Sequence, residues 1–207
     1  MNYISEWYTY LDKKSFDEKK VSTVINNLTD KYHEVHRYYH NLNHIKSMYD
    51  SLSKFKDKID NNESIFYAAW LHDIIYDTKS SDNEEKSSEY AENLLSDLNI
   101  SDTIIKKVIR LILITKNHHP IENSFDEKIF LDSDLLILGQ STDKYNEYMK
   151  SIRKEFHWVD DINYKAGRKN ILKSFLERDT IYFTEEFRSL YESVARKNIQ
   201  SEINALK

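Results

Sequence analysis

The chain has 207 residues and no cysteine, so it is long enough for one domain with its own core, and neither a disulfide framework nor a thiolate metal site is open to it. A 40% share of hydrophobic residues excludes wholesale disorder, and a net charge of −5 gives no global attraction for nucleic acid. No segment approaches the roughly 18 consecutive apolar residues of a membrane span, and the N-terminal stretch has no basic region followed by an apolar one, so a soluble, cytoplasmic protein handling a small ligand is expected.

Two glycines and one proline leave few chain-breaking signals, and apolar residues recur at three- and four-residue spacing almost throughout. The expected fold is therefore all-α: a single domain over residues 1–207, a bundle of about eight to ten helices. The spacing predicts helices over 4–12, 16–28, 31–54, 62–77, 82–98, 101–116, 126–139, 142–157, 161–177 and 184–204. Ser81 with Glu84 three residues on fits a capping box, Ser101 and Asp102 open another helix, and Gly139 suits a left-handed C-terminal position. Pro120 ends the 101–116 helix and starts a loop to about Ser124.

Along the predicted helices, the stretch "HEVHRYYHNLNH" at 33–44 holds half of the eight histidines. At roughly 100° per residue, His33, His36, His40 and His44 share an arc of about 80° on one face, either a solvated polar face or a row of imidazole ligands. In "AAWLHDIIYDT", residues 68–78, His72 and Asp73 interrupt an apolar run, and Asp73 and Asp77 share a face. A carboxylate in such surroundings costs several kcal/mol unless it is paired, hydrogen-bonded or bound to a cation. The stretch "FLDSDLLILG", residues 130–139, repeats the pattern with Asp132 and Asp134, which lie about 200° apart and cannot both face one ion. The loop "ITKNHHP", residues 114–120, offers His118 and His119 to a substrate or to water.

Taken in order, a His on one helix, an adjacent His and Asp on the next, and a later Asp followed by Leu resemble the HD superfamily of metal-dependent phosphohydrolases. Within it, "RYYHNLNHI", "AAWLHDIIYD", "DNEEKSSEYA", "ITKNH", "DSDLLILG", "YNEYMKSIRKEF" and "YKAGRKNILKSFLERDTIYFT" are similar to a small uncharacterised branch, the predicted metal-dependent HD phosphohydrolases. The resemblance runs from about residue 30 to "YESVARKNI", with core motifs over about 30–140 and helices over 142–204 packing on them. It implies His40, His72, Asp73 and Asp134 as metal ligands, with Arg37 at the usual offset before His40. His44, one turn further on, either backs the site on the substrate side or is itself a ligand. "HDIIYDT" also resembles the "HDVIEDT" stretch of hydrolases acting on guanosine alarmones, which puts Asp77 on an acidic catalytic position. Tyr76 stands where that stretch has glutamate, so the alarmone substrate is not carried over.

The implied chemistry is hydrolysis of a phosphomonoester or pyrophosphate bond in a small phosphorylated metabolite, a nucleotide by preference, by water activated on a divalent ion. Mn, Fe, Co, Ni and Zn all suit imidazole and carboxylate donors, and one ion is expected unless Glu84 or His118 completes a second site. Asp77 or Glu84 would orient or deprotonate the water. Arg37, His118, Arg153 and Arg168 are candidates to bind the anionic end, each Arg having a surface ion pair as its alternative. Tyr39, Tyr145 or Tyr164 would stack on a nucleobase, or pack in the core like most tyrosines. The rival expectations are a cyclic nucleotide phosphodiesterase with two metals, a non-catalytic nucleotide-sensing module, and a helical scaffold without chemistry. Amphipathic helices at both ends also suit a homodimer.

Overall fold

The computed structural model describes Trp7, Tyr10, Leu11 and residues 17–206, and all the regular structure among them is helical. The helices are α1 (Glu18–Tyr32), α2 (Leu42–Leu52), α3 (Asn62–Leu71), α4 (Asn83–Asp97), α5 (Asp102–Thr115), α6 (Phe125–Asp134), α7 (Thr142–Glu155), α8 (Asp161–Leu176) and α9 (Glu185–Ala205). Short 3₁₀ segments follow α2 at Ser53–Phe55 and α6 at Leu135–Gly139. The fold is all-α, as composition and spacing require. Of the predicted 4–12 helix, Trp7, Tyr10 and Leu11 are helical and the other positions lie outside the described residues.

Most starts carry a side-chain cap that takes up N–H groups the first turn leaves unpaired. Asp17 accepts from the Lys19 amide, Asn41 from Asn43, Asn61 from Ser64 and Thr184 from Phe187. Asp160 accepts from the amides of Ile162 and Asn163.

Helix α3 is the axis of the molecule. Every residue from Ser64 to Leu71 is buried, because α2, α4, α5 and α6 all pack on it. A wholly buried aliphatic or aromatic side chain such as Ile65, Phe66 or Leu71 contributes roughly 1.5–3 kcal/mol against chain entropy. Trp7 and Tyr10 close one side of it: Tyr10 stacks on Phe66 with ring centroids 4.4 Å apart, and Trp7 meets Phe66 edge-on at 5.2 Å. Beyond the axis, α9 packs against the 3₁₀ segment that follows α6. One cluster of buried apolar side chains runs from Trp7 to Ile199.

Three local expectations are corrected here. The predicted 31–54 helix is broken: α1 ends at Tyr32, residues 33–41 form turns, and α2 begins at Leu42. The histidines at 33, 36, 40 and 44 therefore do not share a helix face. The predicted 62–77 helix stops at Leu71, with His72 as its C-cap donating its amide to the Ala68 carbonyl. His72 and Asp73 thus stand at a helix end, where side chains turn toward a common point, and Asp77 is no longer one turn from Asp73. The Ser81/Glu84 capping box is absent: α4 begins at Asn83 after Asp82, without a side-chain cap bond.

Gly139 is also corrected, since among the described residues no glycine has positive φ. Its role is close approach. A Cβ there would lie 2.5 Å from the Cβ of Tyr191 and 2.9 Å from the Tyr182 hydroxyl, so only glycine lets α9 come this near.

Candidate functional site

His44 comes from the first turn of α2, His72 from the end of α3, Asp73 from the turn that follows, and Asp134 from the last residue of α6. The Nε2 atoms of His44 and His72 are 3.2 Å apart. Asp134 Oδ1 lies 3.2 Å from His44 Nε2 and 3.6 Å from His72 Nε2. Asp73 Oδ2 lies 3.1 Å from His72 Nε2 and 3.6 Å from His44 Nε2.

The tautomer of His72 follows from its other nitrogen. Nδ1 is 3.1 Å from the Ala69 carbonyl, which can only accept, so Nδ1 carries a proton and donates. Nε2 is left facing two carboxylates and a second imidazole nitrogen. Burial pulls the His72 pKa down, but Asp73 and Asp134 outweigh it and hold the ring well above its ordinary value. Burial would likewise raise both acids, yet His72 beside Asp73, and His118, His44 and His72 beside Asp134, keep them below the usual carboxylate range.

Such a cluster asks for positive charge at its centre. Donors about 2.1 Å from one ion stand roughly 3.0–3.4 Å apart at octahedral to tetrahedral angles, close to the separations seen here. His44, His72 and Asp134 each offer an atom within 4.8 Å of the others, so they can hold a metal ion, and Asp73 reaches both histidines. His118 completes the surroundings: its Nε2 donates to Asp134 Oδ2 at 3.0 Å. Its backbone is held at a φ of 45°, and its carbonyl accepts from Arg178.

His40, expected as the first ligand, lines the same cavity but is not in the group that His44, His72 and Asp134 form. Its Nδ1 donates to Glu155 Oε2 at 2.7 Å, and the other Glu155 oxygen accepts the amides of Tyr38, Tyr39 and His40 at 2.6–3.0 Å. The Tyr76 hydroxyl adds a further donor at 2.8 Å. Three successive amides converging on one carboxylate hold residues 38–40 in a turn just before α2 and His44. Burial lowers the His40 pKa, but the bond and charge of Glu155 raise it overall.

A cavity of about 480 Å³ has Asp73, Asp134, His40, Glu84, Lys116 and His118 at its polar end. Tyr148, Ile152, Phe156 and Ile171 add apolar walls, and Arg168 and Arg178 also line it.

The other expected residues divide accordingly. Glu84 lines the cavity, whereas Asp77 is exposed and serves the loop before α4, accepting from the Lys79 amide and donating its own amide to Asn83. Arg37 is buried and spent on backbone: it donates to the carbonyls of His40, Asp73 and Ile74 and to Glu34. Arg153 lies away from the cavity, donating to the carbonyls of Phe156 and Val159 and to Asp161, with its guanidinium 4.6 Å from the Tyr164 ring centroid. Arg168 lines the cavity but is committed to Glu202 at 2.8 and 3.1 Å and to the Tyr148 hydroxyl. Tyr145 is core, its hydroxyl donating to Glu202 at 2.6 Å; Tyr39 lines the main cavity beside Tyr148.

Asp132 and Asp134 point to separate places, as their spacing requires. Asp132 accepts from the Phe183 amide and from the amide and hydroxyl of Thr184, holding the start of α9. Glu155, Lys116 and Arg178 were not among the expected site residues. A signal for Glu155 exists: Tyr145, Tyr148, Ile152 and Glu155 recur at three- and four-residue spacing, so an acid falls on the inward face of α7. No family description, curated protein or solved structure matches the chain.

Proposed function

We propose that the chain is a metal-dependent phosphohydrolase acting on a small phosphorylated metabolite. The observation that carries the reading is the convergence of His44, His72, Asp73 and Asp134 on one point beneath a cavity edged by cations. In this reading those four residues hold a divalent ion among Mn, Fe, Co, Ni and Zn, with His44 replacing His40 in the set that the HD resemblance implies. Such an ion supplies an activated water and neutralises charge on a phosphoryl oxygen.

The chain's own residues do the rest. Glu84, at the polar end and half-buried, orients the attacking water and takes its proton. His118 faces the phosphoryl oxygens, while Lys116, held by Glu85 and the Ser81 carbonyl, adds positive charge to the cavity wall. His40, whose pKa Glu155 raises and whose ring lines the cavity, donates a proton to the departing oxygen. Arg37 is a positioning residue: by gripping the carbonyls of His40, Asp73 and Ile74 it ties the 37–40 turn to the His72–Asp73 turn.

The test is metal content by mass spectrometry together with phosphate release from a panel of phosphomonoesters and nucleoside diphosphates. Close to one ion per chain and metal-dependent release are expected, both lost in His44→Ala and Asp73→Ala. His40→Ala should keep the ion and lose turnover. No uptake of any of the five metals by the wild-type protein would sink the reading.

A further inference from the structure

A second, apolar cavity borders the one above the metal donors. Ile152, Phe156, Arg168 and Ile171 also line an adjoining cavity of about 240 Å³ between α7 and α8. Val159, Tyr164 and Gly167 help to close it. Its walls are mostly aliphatic and aromatic, and two of the polar side chains there are already engaged. Arg168 is paired with Glu202, and Asn163 donates to Asp160 Oδ2 at 2.6 Å. The Tyr164 ring is held in place by the Arg153 guanidinium on one side and meets Phe156 at 6.4 Å on the other. Ile171 is 55% exposed at the rim, so apolar surface is left open to water beside the cavity that holds the acids and histidines.

Gly167 lines this space at an exposed position. A Cβ placed there would meet nothing within 4 Å, although the position lies inside helix α8, where glycine is a poor residue. An apolar cavity of about 150 Å³ is enough to take up benzene, so the volume here admits a single flat ring.

We propose that this adjoining cavity is a specificity subsite that receives the ring of the substrate, so that the preferred substrates are phosphoryl esters carrying a flat, weakly polar ring. The inference rests on the phosphohydrolase reading for the position of the phosphoryl end, and on the four residues that line both cavities for the position of the ring.

The test uses non-hydrolysable probes. Binding of 3-phenylpropylphosphonate and of propylphosphonate to the full chain loaded with Mn²⁺ is measured by titration calorimetry, for wild type and for Gly167→Leu, whose added side chain stands in that open space. The phenyl-bearing phosphonate should bind at least tenfold more tightly than propylphosphonate in the wild type, and Gly167→Leu should remove that advantage while melting cooperatively. Equal affinities in the wild type, or an advantage that survives Gly167→Leu, would overturn the subsite alone. Binding of neither phosphonate would overturn the phosphohydrolase reading along with it. A wild-type chain that sediments as a dimer, and as a monomer in Gly167→Leu, would assign the apolar face to a second copy and overturn the ring subsite likewise.

Discussion

Glu155 shows what a single buried acid can organise. Burial alone would raise its carboxyl, but the bond and charge of His40 and the amides of Tyr39 and His40 prevail and bring it down to about 2. Its side chain has no exposed surface, so solvent does not screen these contacts. An acid with a depressed native pKa stabilises the fold fully above its unfolded value and loses that contribution as pH falls toward the native one. Wild type should therefore lose stability between about pH 4.5 and 2 more steeply than Glu155→Gln, which has no charge to lose. Urea midpoints for both proteins at pH 5 and pH 3 measure the difference, and parallel losses would deny Glu155 this role. Arg37 is the second such residue. Arg37→Lys keeps the charge but gives up the fork that grips three carbonyls, and it should cost about 2 kcal/mol of stability in the same assay.

Among the elements, α6 does two jobs with two acids. Asp134 at its end serves the histidine cluster, while Asp132, half a turn away, receives α9. Asp132→Ala should leave the Thr184 and Phe183 amides without their acceptor and cost roughly 2–3 kcal/mol, read from chemical denaturation. The two glycines predict opposite outcomes. Gly139→Ala forces a methyl group against Tyr191 and Tyr182 and should destabilise by about 1–3 kcal/mol. Gly167→Ala meets no neighbour within a helix and should stabilise by up to about 1 kcal/mol. Thermal melts of the two variants should therefore move in opposite directions from wild type.

For the whole molecule, the cluster is assembled from α2, α3 and α6, elements that pack on one another in the interior. An ion that binds only the folded chain adds stability by mass action, about 2.7 kcal/mol at one hundred times its dissociation constant. Under the proposed function, Mn²⁺ should raise the melting temperature of wild type, a chelator should reverse the rise, and His44→Ala should abolish it. A melting temperature indifferent to every divalent ion tested would count against a metal centre.

Periodicity and the scarcity of glycine and proline were enough to specify an all-α fold and to locate most helices, because a buried helix face imposes its three- and four-residue spacing on the chain directly. Acids inside apolar runs likewise marked Asp73, Asp132 and Asp134 as residues in need of partners, since the cost of burying a charge is the same whatever the fold. Which partner each one has was not legible. His40 and His44 are both histidines on a plausible face, and what tells them apart is a contact with Glu155, more than a hundred positions away, whose carboxylate gathers the amides of Tyr38 to His40 and the His40 ring. The same holds for Arg37 and Arg153: sequence supplies a guanidinium, but its availability to a ligand depends on which carbonyls and carboxylates the packing brings within reach. Local spacing records which residues must be buried. Long-range packing alone decides what they meet there.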